Sequence, residues 1–169
     1  MIVGAPTPLA IEHDVADFGS GEPTLDYWLK RRALANQASG ASRTFVVRGA
    51  GHRVMGYYAL AAGAVSHRAA PGSIRRNMPD PVPVMVLARL AVDRSAQGKH
   101  LGGALLKDAV LRTLAIAENA GVRALLVHAV HQRAKAFYLH YGFEQSPVDP
   151  MTLMLSLPQP EKSESRTGE

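Results

Sequence analysis

The chain has 169 residues, of which 47% are hydrophobic, and a formal net charge of +5 at pH 7. This length and apolar content suit one domain with a substantial core, while the absence of cysteine excludes disulfides, thiolate nucleophiles and thiolate metal sites. The sequence has no apolar run of about 18 residues that could span a membrane, and no secretory leader, which predicts a cytoplasmic protein.

The first predicted elements are a strand over PLAIEH and a helix over LDYWLKRRALANQ. Thr24 is the expected N-cap of this helix, and Gly40 is its expected stop. The segments RTFVVRG and VMGYYALAAGAV have the composition of strands. The apolar residues of the helix recur on one face: Leu25, Trp28, Leu29 and Leu34.

After a loop between Ser66 and Pro83, the apolar run PVMVLARLAV predicts a buried central strand. A helix from about Leu101 to Asn119, a strand in VRALLVHAV, a short helix in QRAKAFYLHY ended by Gly142, and a strand in MTLMLSL complete the chain. This alternation predicts one α/β domain over residues 1–157, with a mixed central sheet flanked by helices. The polar residues 158–169 are predicted to form a disordered tail.

The basic residues are unevenly distributed along the chain. Between Tyr27 and Pro79 there is no Asp or Glu, but there are nine Lys and Arg residues. A surface of one sign attracts polyanions such as nucleic acid. The alternative is a solvated basic face that only aids solubility.

The loop QGKHLGGALL, residues 97–106, joins the central strand to the long helix. Unpaired N–H groups and the helix dipole favour an anion there, such as a pyrophosphate. Gly98, Gly102 and Gly103 lack a Cβ, so the backbone can approach an anion closely. The loop is neither a Walker A motif nor G-x-G-x-x-G, and on its glycines alone a structural turn is an equal alternative.

The segment LARLAVDRSAQGKHLGGALL, followed by AKAFYLHYGF, resembles the GNAT superfamily of acetyl-CoA-dependent N-acetyltransferases. The resemblance implies a GNAT fold whose central strand pairs with the pantetheine arm of acetyl-CoA and whose loop holds the pyrophosphate. His100 stands where a glycine is usual in this motif, so we expect backbone strain there. The cofactor residues that the resemblance implies are Leu90, Ala91, Val92, Gln97, Gly98, Lys99, His100, Leu101, Gly102, Gly103 and Phe137.

The segments DFGSGEPTLDYWLKRRALANQASGASRTFVV, GYYALAAGAV and RRNMPDPVPVMVLARLAVD resemble GNAT toxins of bacterial toxin–antitoxin pairs, over residues 8–157. That resemblance implies acetylation of the α-amino group of aminoacyl-tRNA, which blocks translation. It also implies a ribbon-helix-helix antitoxin, operator DNA bound through the complex, and a homodimer. With the basic block, it suggests RNA contacts at Lys30, Arg31, Arg32, Arg75, Arg76 and Arg89.

Tyr138 in AKAFYLHYGF matches the tyrosine that this family places beside the cofactor sulfur. A phenol with a pKa of about 10 is protonated at neutral pH and can donate to a leaving thiolate. The alternative is an aromatic side chain that only packs. Tyr141 falls outside the family position. The pair His128 and His131 has no third ligand in view, so we predict no metal site.

The proton acceptor is less defined. No Asp or Glu lies on the central strand, and a free α-amino group has a pKa of about 7.7–8.0. Water or a backbone carbonyl could therefore accept its proton, which favours an α-amine over a lysine side chain as the substrate. Two other functions stay open, namely a GNAT enzyme for a small-molecule or protein amine, and a non-catalytic GNAT-like domain that binds nucleic acid or a partner.

Overall fold

The computed structural model describes residues 3–159, so the predicted tail lies outside it from residue 160 onward. Seven strands form one sheet in the order β1-β2-β3-β4-β5-β7-β6, with all neighbours antiparallel except the parallel pair β4 and β5. The strands are β1 (Val3–Pro8), β2 (Arg43–Arg48), β3 (Val54–Val65), β4 (Val82–Val92), β5 (Ala124–His128), β6 (Glu144–Gln145) and β7 (Thr152–Ser156). The helices are α1 (Pro23–Arg31), α2 (Ala33–Ser39), α3 (Gly72–Arg75), α4 (Leu101–Ala117) and α5 (Gln132–His140).

Helices cover both faces of this sheet. On one face, Leu105 of α4 and Tyr138 of α5 belong to one apolar cluster with residues of β3, β4 and β5. On the other face, Leu29 of α1 packs against β2 and β3, while Ile74 of α3 packs over the start of β4 and β5. The mixed sheet with flanking helices is the predicted fold class.

The sheet opens between β4 and β5. The two strands pair as far as Leu87 of β4 and not beyond. At that point Leu87 lies opposite Leu60 of β3, and Arg89 lies opposite Ala59, so Ala88 is an extra residue that forms a β-bulge. A bulge bends its strand, and the second half of β4 therefore leaves β5.

The prediction of a first strand over PLAIEH was wrong. β1 ends at Pro8, and the following residues form a turn in which the Ala10 N–H donates to Nδ1 of His13 at 2.8 Å. This side-chain hydrogen bond gives the backbone an alternative to the strand ladder. The strand therefore lies on the N-terminal side of the predicted segment.

The first predicted helix is two helices. Arg32 has φ −123° and separates α1 from α2. Pro23, rather than the residue after Thr24, is the first helical residue, because proline suits the first turn, and Glu22 is the N-cap position. Since α2 begins anew, Leu34 is 44% exposed instead of sharing the buried face of α1.

Most later elements lie where the sequence predicts them, including β2, β3, β4, β5, α5 and β7. Gly40 and Gly142 have positive φ at the expected helix ends. The one-turn α3 lies inside the predicted loop, and α4 ends at Ala117 rather than Asn119. Within residues 3–159, no helix is long and apolar enough to cross a bilayer.

Candidate active site

The divergence of β4 from β5 leaves a cleft of about 320 Å³. Its walls come from both faces of the sheet, with Leu25 of α1 on one side and Phe137 and Tyr138 of α5 on the other. The cleft therefore passes through the sheet beside β4. Two molecules could enter it from opposite faces and meet there.

A second cavity of about 380 Å³, the loop groove, adjoins the cleft and is lined by the loop of residues 96–98 and the start of α4. Val92, Gln97, Gly102 and Phe137 line both cavities. The two cavities thus form one continuous path from the loop to Tyr138. A long ligand with an anionic segment fits such a path.

The first turn of α4 supplies the groove with hydrogen-bond donors. An α-helix leaves its first N–H groups without intrahelical partners. For Leu101, Gly102 and Gly103, no acceptor is found among residues 3–159. Together with the positive end of the helix dipole, these donors favour a phosphate or pyrophosphate.

The loop leading into α4 has two left-handed residues, as the sequence predicted for His100. Gly98 has φ +77° and His100 has φ +63°. Glycine adopts this conformation at no steric cost, whereas an L-residue is strained by roughly 1–2 kcal/mol. His100 lines the loop groove, and its side chain makes no capping hydrogen bond to the first turn of α4.

Gln97 contributes its side chain to the protein itself. Its Nε2 donates to the carbonyl of Ser20 at 2.7 Å and to that of Val92 at 2.9 Å. These bonds tie the segment before α1 to the end of β4. A ligand in the groove would therefore meet the backbone of Gln97 rather than a free amide.

Asp93 makes a second connection between the same segments. Its carboxylate accepts hydrogen bonds from the N–H of Gly19 at 2.9 Å and from the N–H and hydroxyl of Ser95 at 3.1 and 2.6 Å, and it lies 3.5 Å from Arg53. Burial alone would raise the pKa of Asp93, but the hydrogen bonds and Arg53 outweigh it and hold the pKa below its usual value.

The predicted cofactor residues fall into three groups. Leu90, Ala91 and Val92 line the cleft and follow the bulge, where β5 no longer pairs with β4. Lys99 is exposed and lines neither cavity. The others line one or both cavities: Gln97, Gly98, His100, Leu101, Gly102, Gly103 and Phe137.

Tyr138 is buried and lines the cleft. Its ring packs between Phe137 and Phe143, at centroid distances of 5.1 and 5.2 Å. Burial raises the pKa of the phenol above its ordinary value, because the phenolate would lose its hydration. The hydroxyl therefore keeps its proton at neutral pH and can donate it.

Tyr141 occupies a different place from Tyr138. It is 44% exposed, lines the loop groove and is absent from the cleft. Its hydroxyl packs so closely over Gly103 that a Cβ there would lie 2.2 Å from the oxygen. Gly103 is thus required for this contact, and the two tyrosines belong to opposite ends of the path.

Arg89 is the one predicted RNA residue that lines the cleft. Its guanidinium lies 5.4 Å from the ring centroid of Trp28, and Nη1 donates to the carbonyl of Ala88 at 3.0 Å. Trp28 in turn stacks on Tyr57 at 6.0 Å. This packing holds a cation at the side of the cleft that faces α1.

The other predicted RNA residues form one exposed triplet and one exposed pair, neither of which lines the cleft. Lys30 and Arg31 end α1 and Arg32 follows, whereas Arg75 ends α3 and Arg76 follows. Because α1 and α3 cover different ends of β4 on the same face of the sheet, the sequence block becomes separate basic patches.

The two histidines of the H-x-x-H pair have separate partners. Nδ1 of His128 lies 2.8 Å from the Thr152 hydroxyl. His131 is the N-cap of α5, since its Nδ1 accepts from the N–H of Ala134 at 3.0 Å. Over the part of the chain that the structure describes, no group of three or more His, Asp or Glu side chains could hold a metal.

The sequence pattern did not point to the two charged cleft residues Glu22 and Arg133. Glu22 lines the cleft, and its Oε1 lies 2.9 Å from Nε2 of His131. The Gly-Glu-Pro segment predicted only the region before a helix. Its nearness to His131 depends on the packing of α1 and α5 around the open sheet, which local spacing does not reveal.

Comparison with known proteins supports the family that the loop suggests. A family model described as acetyltransferase (GNAT) domain matches residues 40–145. The tRNA-acetylating toxin of Mycobacterium tuberculosis is 56% identical over 151 residues, which cover 89% of this chain and 90% of that protein.

Solved structures agree with this result. AtaT complexed with acetyl-methionyl-tRNAfMet has a TM-score of 0.84 at 24% identity, covering 90% of this chain and 94% of that chain. The KacTA–DNA complex contains a chain with a TM-score of 0.75 at 27% identity, covering 92% and 93% respectively. The protein described here is therefore an acetyltransferase that belongs to the GNAT family.

Proposed function

We propose that this enzyme is a toxin-type N-acetyltransferase that moves acetyl from acetyl-CoA to the α-amino group of aminoacyl-tRNA and so blocks translation. The observation that carries the proposal is the 56% identity to a tRNA-acetylating toxin over nearly nine-tenths of both chains. The cleft through the sheet supports it, because donor and acceptor could approach from opposite faces.

The loop groove fits acetyl-CoA. Its donors at Leu101, Gly102 and Gly103 would hold the pyrophosphate, and the open edge of β4 at Leu90, Ala91 and Val92 would pair with the amides of the pantetheine arm. A Cβ at Gly102 would lie 3.8 Å from Phe137, in ordinary van der Waals contact, so a methyl group would fit there. When bound, acetyl-CoA supplies the acetyl group and a thiolate leaving group.

Tyr138 is the proposed catalytic acid. Its hydroxyl is protonated at neutral pH and would give a proton to the leaving sulfur as the C–S bond breaks, then regain one from solvent water. Phe137 and Phe143 fix the ring, so the donor needs little reorganisation. An amine that arrives along the α1 side of the cleft would attack from the other face of the sheet.

The tRNA would bind on the face that carries α1 and α3. Arg89 would contact the phosphates nearest the aminoacyl end, because it lies in the cleft wall. Lys30, Arg31, Arg32, Arg75 and Arg76 would contact phosphates farther out. Counterion release at such contacts gives affinity that falls steeply with salt.

The proposal includes partners. We expect a ribbon-helix-helix antitoxin, operator DNA bound through the toxin–antitoxin complex, a homodimer and a cytoplasmic location. The likeness to the KacTA–DNA complex supports a DNA-bound assembly. We further propose that residues 1–157 form the acetyltransferase domain, followed by the tail.

The test is transfer of radiolabelled acetyl from acetyl-CoA to a pool of charged tRNA, with uncharged tRNA as the control. Label on charged tRNA alone is the expected result, and sequencing of the labelled tRNAs would give the specificity. Binding of acetyl-CoA without any transfer to charged tRNA would instead indicate a small-molecule or protein amine as the substrate.

A further inference from the structure

We propose that Glu22 is the anionic subsite that receives the α-ammonium group of the aminoacyl end, and that His131 is the residue that positions it. This inference deepens the proposed function and rests on it. It assigns the substrate amine to a specific side of the cleft.

The charge of the cleft lining points to Glu22. Among the described residues, it is the one carboxylate that lines the cleft, which also contains the cations Arg89 and Arg133. An aminoacyl end presents both charges, a terminal phosphate chain and an ammonium group. The two arginines suit the phosphates, and only Glu22 attracts the ammonium.

Contacts with neighbouring residues fix the position of the Glu22 side chain. Glu22 occupies the N-cap position of α1, yet its side chain makes no capping hydrogen bond there. Instead, Oε1 meets Nε2 of His131 on the opposite wall, at 2.9 Å. Asp26 orders the segment before it by accepting hydrogen bonds from the N–H and hydroxyl of Ser20 at 3.0 and 2.7 Å.

His131 has a defined proton arrangement in this contact. Its Nδ1 accepts the hydrogen bond from the Ala134 N–H, so the ring proton is on Nε2 and is donated to Glu22. One carboxylate oxygen is thereby occupied. The second oxygen is left for a ligand.

Glu22 is also connected to the loop groove. The Ser20 carbonyl accepts from Gln97, and the Gly19 N–H donates to Asp93, so the segment before Glu22 is held by the residues that precede α4. The same loop therefore fixes both the donor cradle and the carboxylate. An amine bound at Glu22 has a set position relative to a thioester bound along β4.

The chemistry needs no proton transfer to Glu22. The ammonium would first donate a hydrogen bond to the free oxygen of Glu22 and then lose one proton to solvent water. The neutral amine still has N–H groups that donate to Glu22, while its lone pair attacks the thioester carbonyl. The C–N bond forms and the C–S bond breaks, the nitrogen gives its second proton to solvent water, and the leaving thiolate takes a proton from Tyr138, which solvent water then replaces. Glu22 thus orients the nucleophile in both protonation states.

The test compares two tRNAs that differ only in the α-substituent, one charged with phenylalanine and one with its α-hydroxy analogue. We expect the native enzyme to bind the amino form about tenfold more tightly, since one charge-assisted contact is involved. Glu22→Gln, which keeps the acceptor for His131, should bind both forms equally. In Glu22→Gln, the KM for aminoacyl-tRNA should rise about tenfold, and the KM for acetyl-CoA should stay unchanged.

Two controls separate the causes. His131→Asn keeps an N-cap side chain for α5 but cannot hold Glu22, so it should lose part of the discrimination without unfolding. Glu144→Gln removes an exposed carboxylate of β6. It should change neither the preference for the amino form of the tRNA nor the KM for aminoacyl-tRNA. Equal discrimination by native enzyme and Glu22→Gln would overturn the inference. Failure of native enzyme to acetylate any charged tRNA would overturn the proposed function instead.

Discussion

The proposed role of Tyr138 as catalytic acid can be tested by removing only its hydroxyl oxygen. Replacement by phenylalanine keeps the ring between Phe137 and Phe143 but removes the proton donor. Tyr138→Phe should bind acetyl-CoA normally and transfer acetyl about 10²–10⁴ times more slowly. Calorimetry for binding and labelled transfer for rate would check this, with Tyr27→Phe on the exposed surface of α1 as the control. Normal turnover would remove Tyr138 from the mechanism.

The pH dependence of that reaction follows from the raised pKa of Tyr138. Because the folded-state pKa is above the usual value of about 10, the hydroxyl stays protonated through the range in which an exposed tyrosine ionises. Any loss of rate between about pH 8 and pH 10 therefore comes from another group.

His100 offers a test of what holds the pyrophosphate. His100→Gly removes left-handed strain but increases the freedom of the unfolded chain, so the free energy of unfolding should rise by only about 0.5 kcal/mol. The affinity for acetyl-CoA should change less than about threefold, because backbone N–H groups form the cradle. His52→Gly, at φ +62° outside the site, is the matched control. A selective loss of acetyl-CoA affinity in His100→Gly would show that the imidazole is a ligand contact.

Local sequence predicted the position of a candidate site feature where one segment contains the whole feature. The loop from Gln97 to Gly103 and the helix around Tyr138 are such segments, and the structure places both beside one path. Glu22 and His131 are distant in the chain, and their contact arises only when α1 and α5 pack around the opened sheet. Side-chain pairing of this kind leaves no periodic signal.

Among the elements, the connection between the segment before α1 and the end of β4 depends on Asp93. Asp93→Asn would lose the charge that accepts from Gly19 and Ser95, so the free energy of unfolding should fall by about 2 kcal/mol. The lowered pKa makes this contribution fully present above the unfolded pKa of about 3.9 and lost as the pH falls through the folded value.

Urea unfolding at several pH values would measure the contribution of Asp93 to the free energy of unfolding. The native protein and Asp93→Asn should differ most near neutral pH and converge only as the pH falls below about 3.9 and through the lower folded-state pKa of Asp93. Glu12→Gln, an exposed carboxylate, should match the native protein throughout. A difference that persists in strong acid would mean that packing, not charge, makes the contact.

Element boundaries show where sequence periodicity stops being informative. The apolar runs of β3 and β4 gave their positions correctly, because burial on both faces dictates them. The end of β1 and the break at Arg32 depend instead on a side-chain hydrogen bond and on one backbone angle. Such local features end a strand or a helix without changing the periodic pattern of apolar residues, so the pattern does not reveal them.

The separated basic patches predict how tRNA would lie across the face that carries α1 and α3. Arg75→Glu with Arg76→Glu should weaken tRNA binding and lower the slope of log affinity against log salt by about 1.4–1.8, for two phosphates. Anisotropy titrations at several salt concentrations would measure the slope. Arg43→Glu with Lys107→Glu changes the net charge by the same amount and should reduce the tRNA affinity and the salt slope less. An unchanged slope in the Arg75 and Arg76 variant would place the RNA elsewhere.

The bulge at Ala88 is a feature that activity needs and that lowers the stability of the sheet. Leu87 and Leu90 face the same side of the sheet although they are three residues apart, because Ala88 is extra. Deletion of Ala88 would leave every other side chain of β4 on its present face and let the strand continue beside β5. The shortened protein would gain ladder hydrogen bonds and lose the opening, so selection for stability alone would erase the catalyst while preserving its fold.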